Sequence, residues 1–251
     1  MQYNINLDEV ALNVGISADK LEKSISVHSA MSEIFPALEI AGCKVGLFGG
    51  TALNKIYFGK AQRLSYDLDI FAYSYAKTIK ELEGIGARTE FSGNFPKKKG
   101  INSTRMTYKS IMLDIVDAKS LKEQPVKLQA FDLLYYYGQL ISPTTVPSYK
   151  LEYLLAEKTM AMLDRNELKD IYDMYVGIQL LKEIKTYRKN LLAAAKRQGI
   201  KDILAYADMQ IHIMMKNGDY YRNKEIEVTN KATALEMLRE IKRFIDMKLR
   251  V

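Results

Sequence analysis

A single cysteine, Cys43 in the stretch IAGCKVGLF, excludes an internal disulfide framework. Two histidines, His28 and His212, are too few for a histidine-built zinc or iron site, so any metal must rest on oxygen ligands. No apolar run approaches the roughly 18 residues of a membrane span, and the opening MQYNINLDEV carries acid where a signal peptide carries base followed by an apolar stretch. The expectation is a cytoplasmic chain with no membrane contact. A basic tail is lacking too: 18 basic and 15 acidic residues precede Leu151, 19 and 15 follow from there, and the net +7 is spread over both halves. There is no internal repeat and no low-complexity tract.

What is present can bury a sizeable core, since 48% of the 251 residues are hydrophobic. The stretch ISADKLEKSISVHSAMSEIFPALEIAG predicts a helix capped at Ser17, with His28 as a packing or surface residue. From Lys44 onward strands and helices alternate. KVGLF reads as a buried strand, and TALNKIYFG as a helix capped at Thr51 and stopped at Gly59. RLSYDLDIF reads as a strand and AKTIKELEGIGA as a helix; RTEF and a polar loop to Gly100 follow, and STRMTYKSIMLDIV reads as a hairpin turning near Lys109 and Ser110. After SPTTVPSYK the pattern is almost purely helical. These readings predict an α+β protein: a mixed-sheet domain over residues 1–146 and a helical bundle over 147–251. Tyr135 to Tyr137 read as a strand near a sheet edge. The basic clusters PKKKG, KEIKTYRKN and EIKRFIDMKLR read as solvated faces, with nucleic-acid contact as the alternative.

The chemistry lies in RLSYDLDIF. As a strand it projects Ser65, Asp67 and Asp69 from one face and Leu64, Leu68 and Ile70 from the other. Asp is a poor strand former, and two carboxylates about 6.5 Å apart at their bases repel unless a positive charge compensates them. Mg²⁺ suits such a pair, because it takes one or two carboxylates and completes its shell with water and substrate phosphates. Asp114, in IMLDIVD, can join them from a neighbouring strand; Asp117 competes for that place. Upstream, VGLFGGTAL supplies glycines that let backbone approach a triphosphate and a helix start whose free N–H groups face anions. The passage is neither a dinucleotide fingerprint nor a Walker A loop, so its weight comes from the Asp-x-Asp that follows.

Together, GGTAL and RLSYDLDIF resemble the AbiEii/AbiGii toxin family of the nucleotidyltransferase superfamily, which shares its catalytic fold with DNA polymerase β and the MenT-type toxins. The family pattern of Gly-Gly-Thr/Ser followed by Arg-x-Ser-x-Asp-x-Asp is met by Gly49, Gly50, Thr51, Arg63, Ser65, Asp67 and Asp69. Its later lysine, arginine and Asp-x-x-Asp are met in EKTMAMLDRNELKDIYDMY by Lys158, Arg165, Asp170 and Asp173, with Lys169 where arginine is common. The resemblance runs over about residues 40 to 180.

Read physically, Lys158 shares a helix side with Leu151, Leu154, Leu155, Met162 and Leu163, so it either snorkels out or faces a polar cleft between the domains. The resemblance favours the cleft. Asp170 and Asp173 share a face of the next helix, where salt bridges to Arg165 or Lys169 stand beside a catalytic role.

The resemblance implies a polymerase β-like nucleotidyltransferase domain followed by a helical bundle. Mg²⁺ or Mn²⁺ would sit at Asp67, Asp69 and Asp114, and an NTP would be the substrate. Gly49, Gly50, Thr51, Arg63, Ser65, Lys158 and Arg165 would hold the triphosphate, with Lys158 and Asp170 completing the catalytic set. It further implies the toxin of a toxin–antitoxin or phage-defence pair, with a cognate antitoxin, and an RNA acceptor such as a tRNA 3′ end. A transferase acting on a small molecule or protein, and a non-catalytic nucleotide-binding module, are the rival readings.

Overall fold

Alternation of buried Leu68, Ile70 and Ala72 with half-buried Asp67, Asp69 and Phe71 makes DLDIFA a strand with one face in the core. It is the middle strand of a seven-stranded mixed sheet. The structure, a computed structural model, describes residues 6–94, 102–217, 221 and 232–249. The chain divides into two compact units, residues 1–149 and 150–251.

The first unit opens with α1 (Leu7–Val14) and α2 (Ala18–Ile40), then β1 (Val45–Phe48) and the short α3 (Gly49–Ala52), which widens into a π-type turn over Leu53–Tyr57. There follow β2 (Asp67–Ala72), α4 (Tyr75–Gly84), β3 (Arg88–Asn94), β4 (Asn102–Tyr108), β5 (Ile111–Asp117), β6 (Val126–Ala130) and β7 (Thr144–Ser148). Their order across the sheet is β3-β4-β5-β2-β1-β7-β6. The β2–β5 and β1–β7 pairs are parallel and the rest antiparallel. At the β4–β5 hairpin Lys109 and Ser110 both have positive φ, 47° and 67°, the two-residue turn whose twist matches the flanking strands.

Four expectations are corrected. The helix after the glycines begins at Gly49, with Phe48 as its cap, so Thr51 lies inside it; the Thr51 hydroxyl donates to the Asp67 carbonyl at 2.6 Å instead of capping. Strand β2 starts only at Asp67, which leaves Ser65 in the preceding extended segment. Within SPTTVPSYK, residues Thr144–Ser148 form β7, which joins β1 at Leu47 and Ser148; Pro147 lies one residue from that single register point, where its missing N–H is tolerated. Tyr135 to Tyr137 form a tight helical turn closed by Gly138 at φ 77°, with Phe131 packed on Tyr135 and Tyr136.

α2 and the turn after α3 enclose a polar core. Lys55, its side chain 1% exposed, bonds through its ammonium to the Asp132 carboxylate and, at 2.7 Å, to the Ser24 hydroxyl. Burial alone would raise the Asp132 carboxyl, but the Lys55 charge and hydrogen bond outweigh it and hold the group below its ordinary value. His28 is buried beside this pair, its Nε2 2.9 Å from the Ser142 carbonyl. Burial first and the Lys55 charge second push its pKa below 6.5, against the Ser142 hydrogen bond and the Asp132 charge.

The folded chain therefore keeps the His28 ring neutral where the unfolded chain protonates it. Stability tied to His28 is complete above pH 6.5 and declines as the pH falls toward the lowered folded value. A series of melting curves between about pH 8 and pH 5 is expected to show that decline, and His28→Gln to flatten it. A variant with the parent's slope would place the acid sensitivity in other groups.

The second unit is helical: α5 (Leu151–Arg165), α6 (Leu168–Leu180), α7 (Ile184–Arg197), α8 (Ile203–Lys216) and a last helix, Ala234–Phe244. Leu151, Leu154, Leu155, Met162 and Leu163 are buried together on α5. A Cβ at Gly177 of α6 would lie 2.2 Å from a methyl of Leu155, so the missing side chain sets how closely the two helices pack. No helix among the described residues is long and apolar enough to cross a membrane.

Candidate active site

Three acidic or basic side chains share one register line on the open face of the sheet. Asp69 on β2 is level with Asp114 on β5, and Asp114 is level with Arg105 on β4. Adjacent strands lie about 4.8 Å apart, so this row brings two carboxylates and a guanidinium into contact range. Asp67 stands two residues before Asp69 on the same face. Asp117 is level with Ala72, three positions along, and its Oδ1 accepts the Lys119 N–H at 3.1 Å. Register thus puts Asp114 rather than Asp117 beside the pair.

Gly49 sits against Asp69 on the other side. Its φ is +75°, and a Cβ there would lie 2.2 Å from Asp69 Oδ2. Glycine is needed twice over, for the left-handed backbone and for the room taken by the carboxylate. Around this bend the signature residues brace one another. The Thr51 and Ser65 hydroxyls are 2.6 Å apart, and Ser65 donates to Asp67 Oδ1 at 3.3 Å. Asn54 donates to the Gly50 carbonyl at 2.8 Å and accepts the Arg63 N–H at 2.7 Å. Thr51, Ser65 and Arg63 are all buried, with Arg63 Nη1 donating to the Leu64 carbonyl at 3.1 Å. These contacts fix the path of the backbone that carries Gly49 and the two acids.

A family model described as "Nucleotidyl transferase AbiEii toxin, Type IV TA system" matches residues 42–249. The chain belongs to the AbiEii nucleotidyltransferase toxin family. It is accordingly an enzyme of nucleotidyl transfer. Among solved structures, it is similar to MenT4, a nucleotidyltransferase toxin of Mycobacterium tuberculosis, at 14% identity and TM-score 0.58 over 97% of this chain and 90% of that one. It is also similar to the antibiotic-resistance factor ANT(2'')-Ia in solution, at 12% identity and TM-score 0.50 over 76% and 98% of the two chains. At such identities the likeness is one of fold. Among curated proteins no relative matches the chain at a significant level.

For an AbiEii-family enzyme, the fit of a divalent cation turns on the acids. Among the described residues no group of three or more His, Cys, Asp or Glu side chains is gathered for a metal ion. Asp114, the expected third ligand, is engaged in this structure by Arg105, whose Nε and Nη2 donate to its two oxygens at 2.7 and 2.8 Å. Asp67 and Asp69 still form the two-carboxylate, all-oxygen set that Mg²⁺ or Mn²⁺ accepts together with water and phosphate, so the donor chemistry fits.

In the helical unit the motif residues form a cluster of their own. Lys158 neither snorkels nor stands open. Its side chain is 6% exposed, with the ammonium 2.9 Å from Asp170 Oδ1 and 2.8 Å from Asp173 Oδ2, and both acids are fully buried. Arg165 adds Nε and Nη2 bonds to Asp170 at 3.1 and 3.0 Å. Lys169 pairs with Glu167 at 3.1 Å. The salt bridging foreseen for Asp170 with Arg165 is present, and Lys158 is its centre, tying α5 to α6.

Of the basic clusters, PKKKG lies outside the described residues. Within EIKRFIDMKLR, Lys242 pairs with Asp208 and Asp246, and Arg243 with Glu240, while Arg250 lies outside the described residues. KEIKTYRKN falls on α7, which turns Lys185, Lys189 and Lys196 to solvent. Two features escaped the sequence reading: the buried Lys55–Asp132 pair, for which no local signal exists, and Arg105, whose partner follows from the hairpin turn.

Proposed function

We propose that this AbiEii-family enzyme transfers a nucleoside monophosphate from an NTP to a hydroxyl of an RNA acceptor, with the 3′ end of tRNA as the preferred candidate, and that a cognate antitoxin restrains it. The observation that carries the reading is Asp69: its carboxylate lies against the left-handed Gly49 bend, with Asp67 on the same strand face and Asp114 level with it. In the reaction the acceptor oxygen bonds to the α-phosphorus, the α–β bridging P–O bond breaks, and pyrophosphate leaves with the bonding electrons. Asp114 is assigned the proton of the acceptor hydroxyl. Backbone at Gly49 and Gly50 approaches the triphosphate, while Thr51, Ser65 and Arg63 keep that bend and the acids in place. Mg²⁺ or Mn²⁺ at Asp67 and Asp69, with Asp114 as a further oxygen ligand, would when bound neutralise triphosphate charge and lower the pKa of the acceptor hydroxyl. An RNA acceptor is favoured by the net charge of +7 and by the lysine face of α7. A phosphate contact by Lys158 would require its ammonium to leave two buried carboxylates, so the helical cluster is assigned to holding α5 on α6.

The test is incubation of the full chain with each α-labelled NTP, with and without total tRNA, in Mg²⁺, Mn²⁺ or chelator. Label on tRNA from one preferred NTP, with pyrophosphate released and both lost in chelator, is expected. Label on protein or on a small molecule would replace RNA as the acceptor. NTP binding without turnover under any condition would make the chain a nucleotide-binding module.

A further inference from the structure

The row on the open face ends in a positive charge that the nucleotidyl-transfer pattern does not account for. Arg105 grips both oxygens of Asp114 in a fork, the strongest geometry available to a guanidinium and a carboxylate. The pair is nevertheless accessible, with the Arg105 side chain 47% exposed and that of Asp114 27%. Accessible ion pairs hold weakly and exchange readily. Arg105 also stands among further acids: Asp67 and, from the irregular register of β3, Glu90 both act on its charge. A guanidinium fork fits a phosphate as well as it fits a carboxylate, and exchange needs only rotation of an exposed side chain.

We propose that Arg105 is an exchangeable counter-ion of the active site: it neutralises Asp114, then gives up that carboxylate to a divalent cation and turns its own fork to the phosphate oxygens of the incoming nucleotide. This rests on the nucleotidyl-transfer reading above. It makes Arg105 a nucleotide-positioning residue, and it accounts for an acid set that is complete in register yet not gathered around one point. Removing the guanidinium has two opposite consequences. Asp114 loses the charge that competes with a cation, so cation binding tightens. The triphosphate loses a bidentate donor, so nucleotide binding weakens. An arginine serving only to join β4 to β5 would, on removal, loosen both together.

The experiment uses the full chain and its Arg105→Gln and Arg105→Lys variants. Mn²⁺ alone is titrated by the paramagnetic resonance signal of the free ion, and NTP binding is measured by calorimetry at saturating Mn²⁺. Arg105→Gln is expected to bind Mn²⁺ roughly three- to tenfold more tightly and NTP roughly ten- to a hundredfold more weakly. Arg105→Lys keeps the charge without the fork, so it should bind Mn²⁺ as the parent does and NTP at an intermediate strength. Unchanged or weaker Mn²⁺ binding by Arg105→Gln, with normal binding by the parent, overturns the counter-ion role. Parental NTP affinity in Arg105→Lys overturns the role of the fork, and this holds even if the glutamine variant does not fold. A parent chain that binds neither Mn²⁺ nor NTP would overturn the nucleotidyl-transfer reading first, and the exchange with it.

Discussion

Asp69→Asn is expected to lower nucleotidyl transfer about a thousandfold or more while the melting temperature stays near that of the parent. The reason lies in what the substitution keeps and removes. Asparagine has nearly the shape of aspartate, so the side chain still fills the space left by the missing Cβ of Gly49. The β2 ladder, with Asp69 level with Phe48 and Asp114, is unaffected. The charge is lost at the position proposed to hold triphosphate and cation together, and interactions worth about 4 kcal/mol in the transition state correspond to three decades of rate. Labelled-nucleotide transfer and growth arrest on induced expression are the two readouts. Transfer within about tenfold of the parent, in a variant that melts normally, would remove Asp69 from the chemistry and with it the central claim about this site.

The second large effect concerns stability. Lys158→Met should destabilise the helical unit by about 3–5 kcal/mol, because it leaves Asp173 and part of Asp170 charged in an interior from which water is excluded. Methionine matches the length of the lysine stem among Leu154, Leu155 and Met162, so lost packing contributes little. For a unit of this size the change lowers the melting temperature by more than about 10 °C. Lys158→Met combined with Asp173→Leu is expected to recover most of the loss, since replacing both ends of a buried pair by apolar groups is often neutral. Circular dichroism melts of the two variants decide it. A single variant costing less than about 1 kcal/mol would mean that water reaches the cluster.

Much of the site could be read along the chain. The Gly49–Gly50 bend, the Asp67–Asp69 alternation and the hairpin turn at Lys109 and Ser110 are local patterns, each set by φ/ψ preference or by strand periodicity. The turn even carries more than was drawn from it. With Lys109 and Ser110 at its corner, Tyr108 faces Ile111, and counting back three residues on each strand sets Arg105 opposite Asp114. By contrast, the bonds that Thr51 and Ser65 make within the fold could not be read from the sequence, because a hydroxyl's partner cannot be known before the β2 backbone is placed beside it. SPTTVPSYK looks like a linker because its prolines signal a break, whereas β1 offers it an edge that only the assembled sheet possesses.

The linear pattern therefore determined the family, the mixed sheet followed by helices, and the identity of the paired acids, since all of these depend on residue types at short fixed spacings. Which charges neutralise which was decided only by the tertiary structure. Lys55 meets Asp132 across 77 residues, Arg105 takes Asp114 from the neighbouring strand, and Lys158 is enclosed by Asp170 and Asp173. A charge selects its partner by proximity and by loss of water, and both come into being when the chain closes on itself.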